Sequence, residues 1–196
     1  MKKQTQAIHT QFQRPDAYSS LSMPVYHTAA YEFGDALSMT DAFCGRTDDP
    51  DYSRVMNPTV TFFENKVRAL TGATDVIALS SGMAAISNAL LALAESGRKI
   101  VTSRHTYSLI TGTLRRFGIE PVLCDLTDLR AVEQALDDRT CALFLEIITN
   151  PQMEVADLRA LSRITRSRGV PLMAATPLLP FTCFDARALG IDVEIV

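Results

Sequence analysis

The sequence predicts an α/β domain: a mostly parallel sheet with helices on both faces. Two observations carry this. Past residue 57, short apolar runs alternate with stretches of helical period. Those runs are continuous, as in Ala142-Leu143-Phe144-Leu145, the pattern of strands buried on both sides. Composition agrees, since 47% of the 196 residues are hydrophobic and 21% are charged, enough for a core.

Asn57-Pro58 opens the first clear helix, Asn as cap and Pro at the first helical position. Val60, Phe63, Val67 and Leu70 space out its buried face, and Gly72 ends it. Val76–Leu79 then reads as strand and Ala84–Glu95 as helix. Ile100–Ser103 is strand, Ser108–Phe117 helix, Pro121–Cys124 strand and Asp128–Leu136 helix. Cys141–Ile147 is strand, Asp157–Arg168 helix and Pro171–Ala175 strand. A short helical turn at Asp185–Leu189 precedes a last apolar run, Val193–Val196.

Residues 1–56 have no sustained period and carry turn formers: Pro15, Pro24, Gly34, Gly45, Asp48-Asp49-Pro50 and Asp51. They predict an extended arm with short structured pieces, of the kind that lies across a partner subunit. Residues 57–196 form the domain proper.

The net charge of -3 argues against nucleic acid as a main partner. Arg159, Arg163, Arg166 and Arg168, at helical spacing, read as a solvated helix face. Cys44, Cys124, Cys141 and Cys183 make no CxxC pair, Met1-Lys2-Lys3-Gln4-Thr5-Gln6 has no apolar leader, and no apolar run approaches the ~20 residues of a membrane span. These features predict a reduced, cytoplasmic protein with no membrane partner. His9, His27 and His105 lack ligand spacing, so no metal site is expected.

In a parallel sheet, ligands sit beyond the carboxyl ends of the strands. The residues that matter most are therefore Ser80-Ser81-Gly82, Ser103–Tyr107, Asp125, Glu146–Pro151 and Ala174–Pro177. The stretch Ser80-Ser81-Gly82-Met83-Ala84-Ala85-Ile86 follows an apolar run and opens a helix. A helix start offers unsatisfied N–H groups and a positive dipole end, which suit a phosphate. The same pattern also fits a plain strand-to-helix turn.

At this point the chain resembles the Cys/Met-metabolism group of pyridoxal-phosphate (PLP) enzymes, the trans-sulfuration γ-synthases, γ-lyases and O-acetylhomoserine sulfhydrylases. The resemblance rests on Met23-Pro24-Val25-Tyr26-His27-Thr28, Tyr52-Ser53-Arg54-Val55-Met56-Asn57-Pro58-Thr59, the Ser80–Ile86 stretch, Glu146 with Asn150-Pro151, and Ala188-Leu189-Gly190-Ile191-Asp192. It implies the large domain of a PLP-dependent transferase-like, fold type I enzyme with its C-terminal part missing and the small domain absent. It implies sulfur amino acid substrates, with γ-replacement or γ-elimination on O-acyl-homoserine, cystathionine or methionine. Ser81, Gly82 and Met83 are implied at the PLP phosphate. Tyr52 and Arg54 are implied at the phosphate of a neighbouring subunit, hence an oligomer. Asn150 is implied at the ring's phenolic oxygen, and Thr176 is a further implied cofactor contact.

Three departures fall on the chemistry. The resemblance calls for a Schiff-base lysine after the strand at Val193–Val196, but the lysines are Lys2, Lys3, Lys66 and Lys99. It calls for an Asp that holds the pyridine nitrogen protonated, where Ala174 stands in the run Ala174-Ala175-Thr176-Pro177. It calls for an aromatic ring stacked on the cofactor after the second strand. Aligned from one side, the loop at Ser103–Tyr107 is too short to keep it; aligned from the other, Tyr107 replaces it. The implied strand between Val76–Leu79 and the last strand is also missing.

Four readings follow. The chain is a truncated, degenerate member, a pseudoenzyme without catalytic residues that binds PLP non-covalently or not at all. Or it is a non-catalytic partner of a full-length relative. Or it is a piece of a longer gene product. The fourth, a plain nucleotide-binding domain, is disfavoured because no Gly-x-Gly-x-x-Gly turn is present.

Overall fold

A computed structural model describes residues 2–10, 12 and 16–196. Met1 and Pro15, the latter read above as a turn former, lie outside the described residues. The chain divides into two compact units, residues 1–78 and residues 79–196.

The first unit holds three helices: α1 (Lys3–His9), α2 (Ala36–Phe43) and α3 (Pro58–Thr71). Asp35 caps α2 through Ser38 N–H. Asn57 caps α3 through Thr59 N–H, and Gly72 ends it in the left-handed conformation, as the sequence predicts. The predicted apolar face of α3 is only half realised. Val67 is buried and Leu70 partly so, whereas Val60 and Phe63 are exposed. Helical spacing reports an apolar stripe, not whether anything covers it. Ala42 and Val67 are the only buried apolar residues of this unit among the described residues.

The second unit opens with α4 (Gly82–Leu93) and then alternates. Its elements are β1 (Lys99–Ser103), α5 (Ser108–Arg116), β2 (Glu120–Cys124), α6 (Leu129–Ala135), β3 (Thr140–Glu146), α7 (Leu158–Ser167), β4 (Leu172–Ala175), α8 (Ala186–Leu189) and β5 (Val193–Ile195). The five strands run in the order β2-β1-β3-β4-β5, every pair parallel. Successive strand residues feed two cores. Ala142, Phe144, Met173 and Ala175 pack with Leu90 of α4 and Ile110 and Leu114 of α5. Leu143, Leu145, Leu172 and Ala174 pack on the opposite face with Val132 of α6 and Leu161 of α7. Side-chain caps from Ser81, Asp128, Asp157 and Asp185 start α4, α6, α7 and α8.

One expected strand is absent. Val76–Leu79 belongs to no strand, and Ile77 and Leu79 are exposed. An apolar run becomes a strand only when a neighbour accepts and donates its backbone hydrogen bonds. Here the local bond is different: Ala78 N–H donates to the Glu64 carboxylate at 2.7 Å.

The strand order reverses direction between β1 and β3. In open parallel sheets that reversal opens a ligand crevice beyond the carboxyl ends. The loops after β1 and β3 flank it.

Candidate functional site

At the start of α4, Ser81 is the cap and its hydroxyl oxygen accepts from Ala84 N–H at 3.1 Å. Ala85 N–H donates to Ser81 O at 3.0 Å. The Gly82 and Met83 N–H groups have no acceptor among the described residues. A Cβ placed on Gly82 would meet nothing within 4 Å, so the turn is open in front. Two free N–H groups on a 12-residue helix, with its dipole behind them, form an anion seat.

The loop after β1 does more than the sequence suggested. Arg104 pairs with Asp125 at 2.8 Å and lies 3.8 Å from Glu154, which also lies 3.8 Å from His105. Arg104 Nε–H donates to His105 Nε2 at 3.2 Å. The Thr127 hydroxyl and N–H, with Arg104 behind them, hold the Asp125 carboxyl below the usual carboxylate range. These contacts tie together the loops that follow β1, β2 and β3. No local pattern marks Glu154 as a member, because its partners are far away in sequence.

Tyr107 precedes α5 with its side chain exposed, and its backbone N–H reaches the Glu146 carboxyl. Glu146 ends β3 half-buried, and burial pushes its carboxyl up from the ordinary value. Asn150 is exposed on the turn after β3. Thr149 and Glu154 close that turn through Thr149 N–H to Glu154 O at 3.1 Å and Glu154 N–H to Thr149 Oγ1 at 2.9 Å. Thr176 is buried after β4, its N–H donating to Ile195 O at 2.8 Å and its hydroxyl turned to the same carbonyl at 3.4 Å. Ala174 and Ala175 are both buried, one in each core.

In the first unit, the two blocks around Tyr26 and Tyr52 are bonded to each other. The buried Asn57 amide donates to Tyr26 O at 2.9 Å and to Ser53 Oγ at 3.0 Å. Ser53 donates to Thr28 O, and Tyr52 bridges to Ala30. Together they frame an open groove of about 600 Å³ lined by Tyr26, His27, Thr28, Tyr52, Ser53 and Arg54. The Arg54 guanidinium makes no hydrogen bond or ion pair among the described residues.

The family profile described as "Cys/Met metabolism PLP-dependent enzyme" matches residues 4–196. The chain belongs to that family. An L-methionine gamma-lyase of Fusobacterium nucleatum subsp. nucleatum is 33% identical over 97% of this chain and 49% of its own length. An O-acetyl-L-homoserine sulfhydrylase of Corynebacterium glutamicum is 34% identical over 98% of this chain and 45% of its own. The crystal structure of a putative O-acetylhomoserine (thiol)-lyase from Campylobacter jejuni subsp. jejuni, containing N'-pyridoxyl-lysine-5'-monophosphate, superposes with a TM-score of 0.91. It is 30% identical, over 99% of this chain and 49% of that one. The chain thus spans about half the length of the curated relatives it matches, and its fold is the corresponding part of a fold type I PLP enzyme.

The residues fit one end of PLP. The uncommitted N–H groups of Gly82 and Met83, capped by Ser81, suit its phosphate. They do not fit the other end. Neither residue that closes β4 is a carboxylate. Lys99, the one lysine of residues 79–196, sits at the opposite end of β1, paired with Asp137 at 2.8 Å. Lys66 lies 5.7 Å from the Phe62 ring in the first unit.

Proposed function

We infer that these 196 residues grip PLP by its phosphate and do not carry the chemistry of their relatives by themselves. When bound, PLP supplies an electron sink for carbanions, provided that its ring nitrogen is held protonated and an amine carries it. Ser81, Gly82 and Met83 take the phosphate, Asn150 and Tyr107 border the ring, and Thr176 steadies the floor beneath it through β5. The observation that carries the reading is Ala174 in β4, where the resemblance calls for an acid and a buried methyl group stands instead. It is a property of the β4 strand itself. The family's substrates, O-acyl-homoserine, cystathionine and methionine, are the compounds against which this is tested.

Mixing the full chain with PLP should give saturable binding that inorganic phosphate displaces. After borohydride reduction, mass spectrometry should find no cofactor-bearing lysine, and none of the three substrates should turn over. A lysine-linked cofactor together with turnover overturns the reading.

A second reading has its own support. The free Arg54 guanidinium, a planar fork of donors in an open groove, suits a phosphate outside its own unit. The first unit also leaves Val60, Phe63, Val55 and Val25 exposed. Both features suit a subunit that lies across a copy of itself or a full-length relative and completes the pocket there. Co-expression with a tagged relative tests it: stable co-purification, lost in Arg54→Glu, supports the pairing, and failure to associate refutes it.

A further inference from the structure

The first unit carries an acidic, exposed stretch. Residues 32–51, which include α2, hold six carboxylates against the single Arg46. Asp35 is spent on the α2 cap and Asp41 on Arg46 at 2.8 Å, whereas Glu32 and Asp48 are exposed. Leu37, Met39 and Phe43 of α2 are exposed as well, and Ala42 is the one buried residue of that helix. The second unit carries the opposite charge on one helix. The exposed positions of α7 are Arg159, Arg163, Arg166 and Ser167. The three arginines recur at i, i+4 and i+7, so they form one stripe. Arg159 donates to Ala188 O at 3.3 Å, which brings α8 and its exposed Arg187 alongside. The nearby carboxylates of Asp157 and Asp185 are used as helix caps, accepting from Ala160 and Ala188 N–H. Arg163, Arg166 and Arg187 make no ion pair or hydrogen bond among the described residues. Like charges three and four apart repel on a helix surface, so the bare stripe works against α7.

We propose that the α7 arginine stripe of one copy takes the acidic α2 stretch of a second copy of this chain. The inference rests on the second reading above, that the first unit lies across another chain, names the surface it meets there, and does not depend on PLP. A net charge of -3 repels nucleic acid and anionic membranes at long range. The acidic stretch, by contrast, accompanies the stripe in every copy. Guanidinium forks pair with carboxylates such as Glu32 and Asp48, and the arginine stems lie against Leu37 and Phe43. Exposed ion pairs contribute little one by one, so the contact depends on several acting together and weakens in salt. Two copies make it twice, once in each direction, which closes a dimer.

The alternative is a solvated face that meets nothing. Sedimentation velocity of the full chain, run across concentration at low and at high salt, separates the two. Wild type should form dimers that high salt dissociates. Arg163→Glu with Arg166→Glu makes both surfaces negative, and Glu32→Arg with Asp48→Arg makes both positive. Each double variant should therefore self-associate at least about tenfold more weakly than wild type, while exposed substitutions of this kind leave the fold intact. An equal mixture of the two should dimerise again, because each stretch then meets a stripe of opposite charge, and that recovery also reports that both variants are folded. If the mixture stays monomeric, or if neither double variant weakens the wild-type dimer, the inference fails. If Arg54→Glu breaks the dimer and the α7 reversal does not, the second reading stands and this one fails. If wild type is monomeric at low salt, even where it binds added polyglutamate or duplex DNA through the same arginines, this inference fails and the second reading is left to a full-length relative.

Discussion

Gly190 ends α8 in the left-handed conformation, at φ 81°, directly against α7. A Cβ there would lie 2.0 Å from Ser162 Oγ and 2.7 Å from Ser162 Cβ. Ser162 is buried in the middle of α7, so its Cβ cannot retreat without moving the helix. Gly190→Ala therefore meets two costs. The left-handed backbone costs about 1–2 kcal/mol for a residue with a Cβ, and overpacking adds about 1–3 kcal/mol. Gly169 supplies the control, because it too has positive φ, 65°, but nothing within 4 Å of its added Cβ. Gly169→Ala should show the backbone cost alone. Ser162→Gly removes both clashing atoms, at about 1 kcal/mol for a glycine inside a helix. In urea unfolding of the full chain, Gly190→Ala should lose about 2–5 kcal/mol, about 1–3 kcal/mol more than Gly169→Ala. The double variant Gly190→Ala, Ser162→Gly should recover most of that excess. Equal losses at the two glycines, or no coupling to Ser162, would refute the packing argument and leave only backbone strain.

Three further outcomes follow from the same geometry. Ser81→Ala removes the α4 cap and should lower stability by about 0.5–2 kcal/mol, with a parallel loss of PLP affinity by titration. Arg54→Leu should leave the stability of the isolated chain within about 0.5 kcal/mol of wild type, since the guanidinium has no partner among the described residues, yet weaken association with a co-expressed relative. Glu146 has a folded-state pKa above its unfolded one, so the unfolded chain ionises first as pH rises. Stability should fall as pH climbs from the ordinary glutamate range and level off above the raised value. Glu146→Gln should flatten that segment in melts run across pH, and an unchanged profile would show that the carboxyl is not buried as described.

The alternation of strand and helix from Lys99 onward is legible because each signal is local. Buried parallel strands read as apolar runs, and Asn57 announces its helix as a cap; Ser81, Asp128, Asp157 and Asp185 cap theirs in the same local way. What the sequence misreads depends on partners. Val76–Leu79 has the composition of a strand but no ladder, and Val60 and Phe63 have the spacing of a buried face but no cover. Composition and period describe what a segment offers, and neither says who accepts it.

The same distinction sorts the blocks that link this chain to its family. Gly190-Ile191-Asp192 is structural. Gly190 fits where no Cβ can, Ile191 is buried, and Asp192 takes Leu172 N–H at 2.8 Å while its own N–H returns to Leu172 O at 2.9 Å. That clamp seats β5 beside β4, and β5 in turn holds Thr176 through Ile195 O. Asn57 and Ser53 are structural as well, since their hydrogen bonds are consumed inside the first unit. By contrast, the Gly82 and Met83 N–H groups and the Arg54 guanidinium have no partners among the described residues. Gly82 and Arg54 are exposed and Met83 partly so, which leaves these donors open to an anion. Two of these are N–H groups at a helix start and one is a guanidinium, and all three suit phosphate oxygens. Two separate places in the chain thus hold open donors of the kind that phosphate oxygens accept, one at the start of α4 and one in the groove around Arg54.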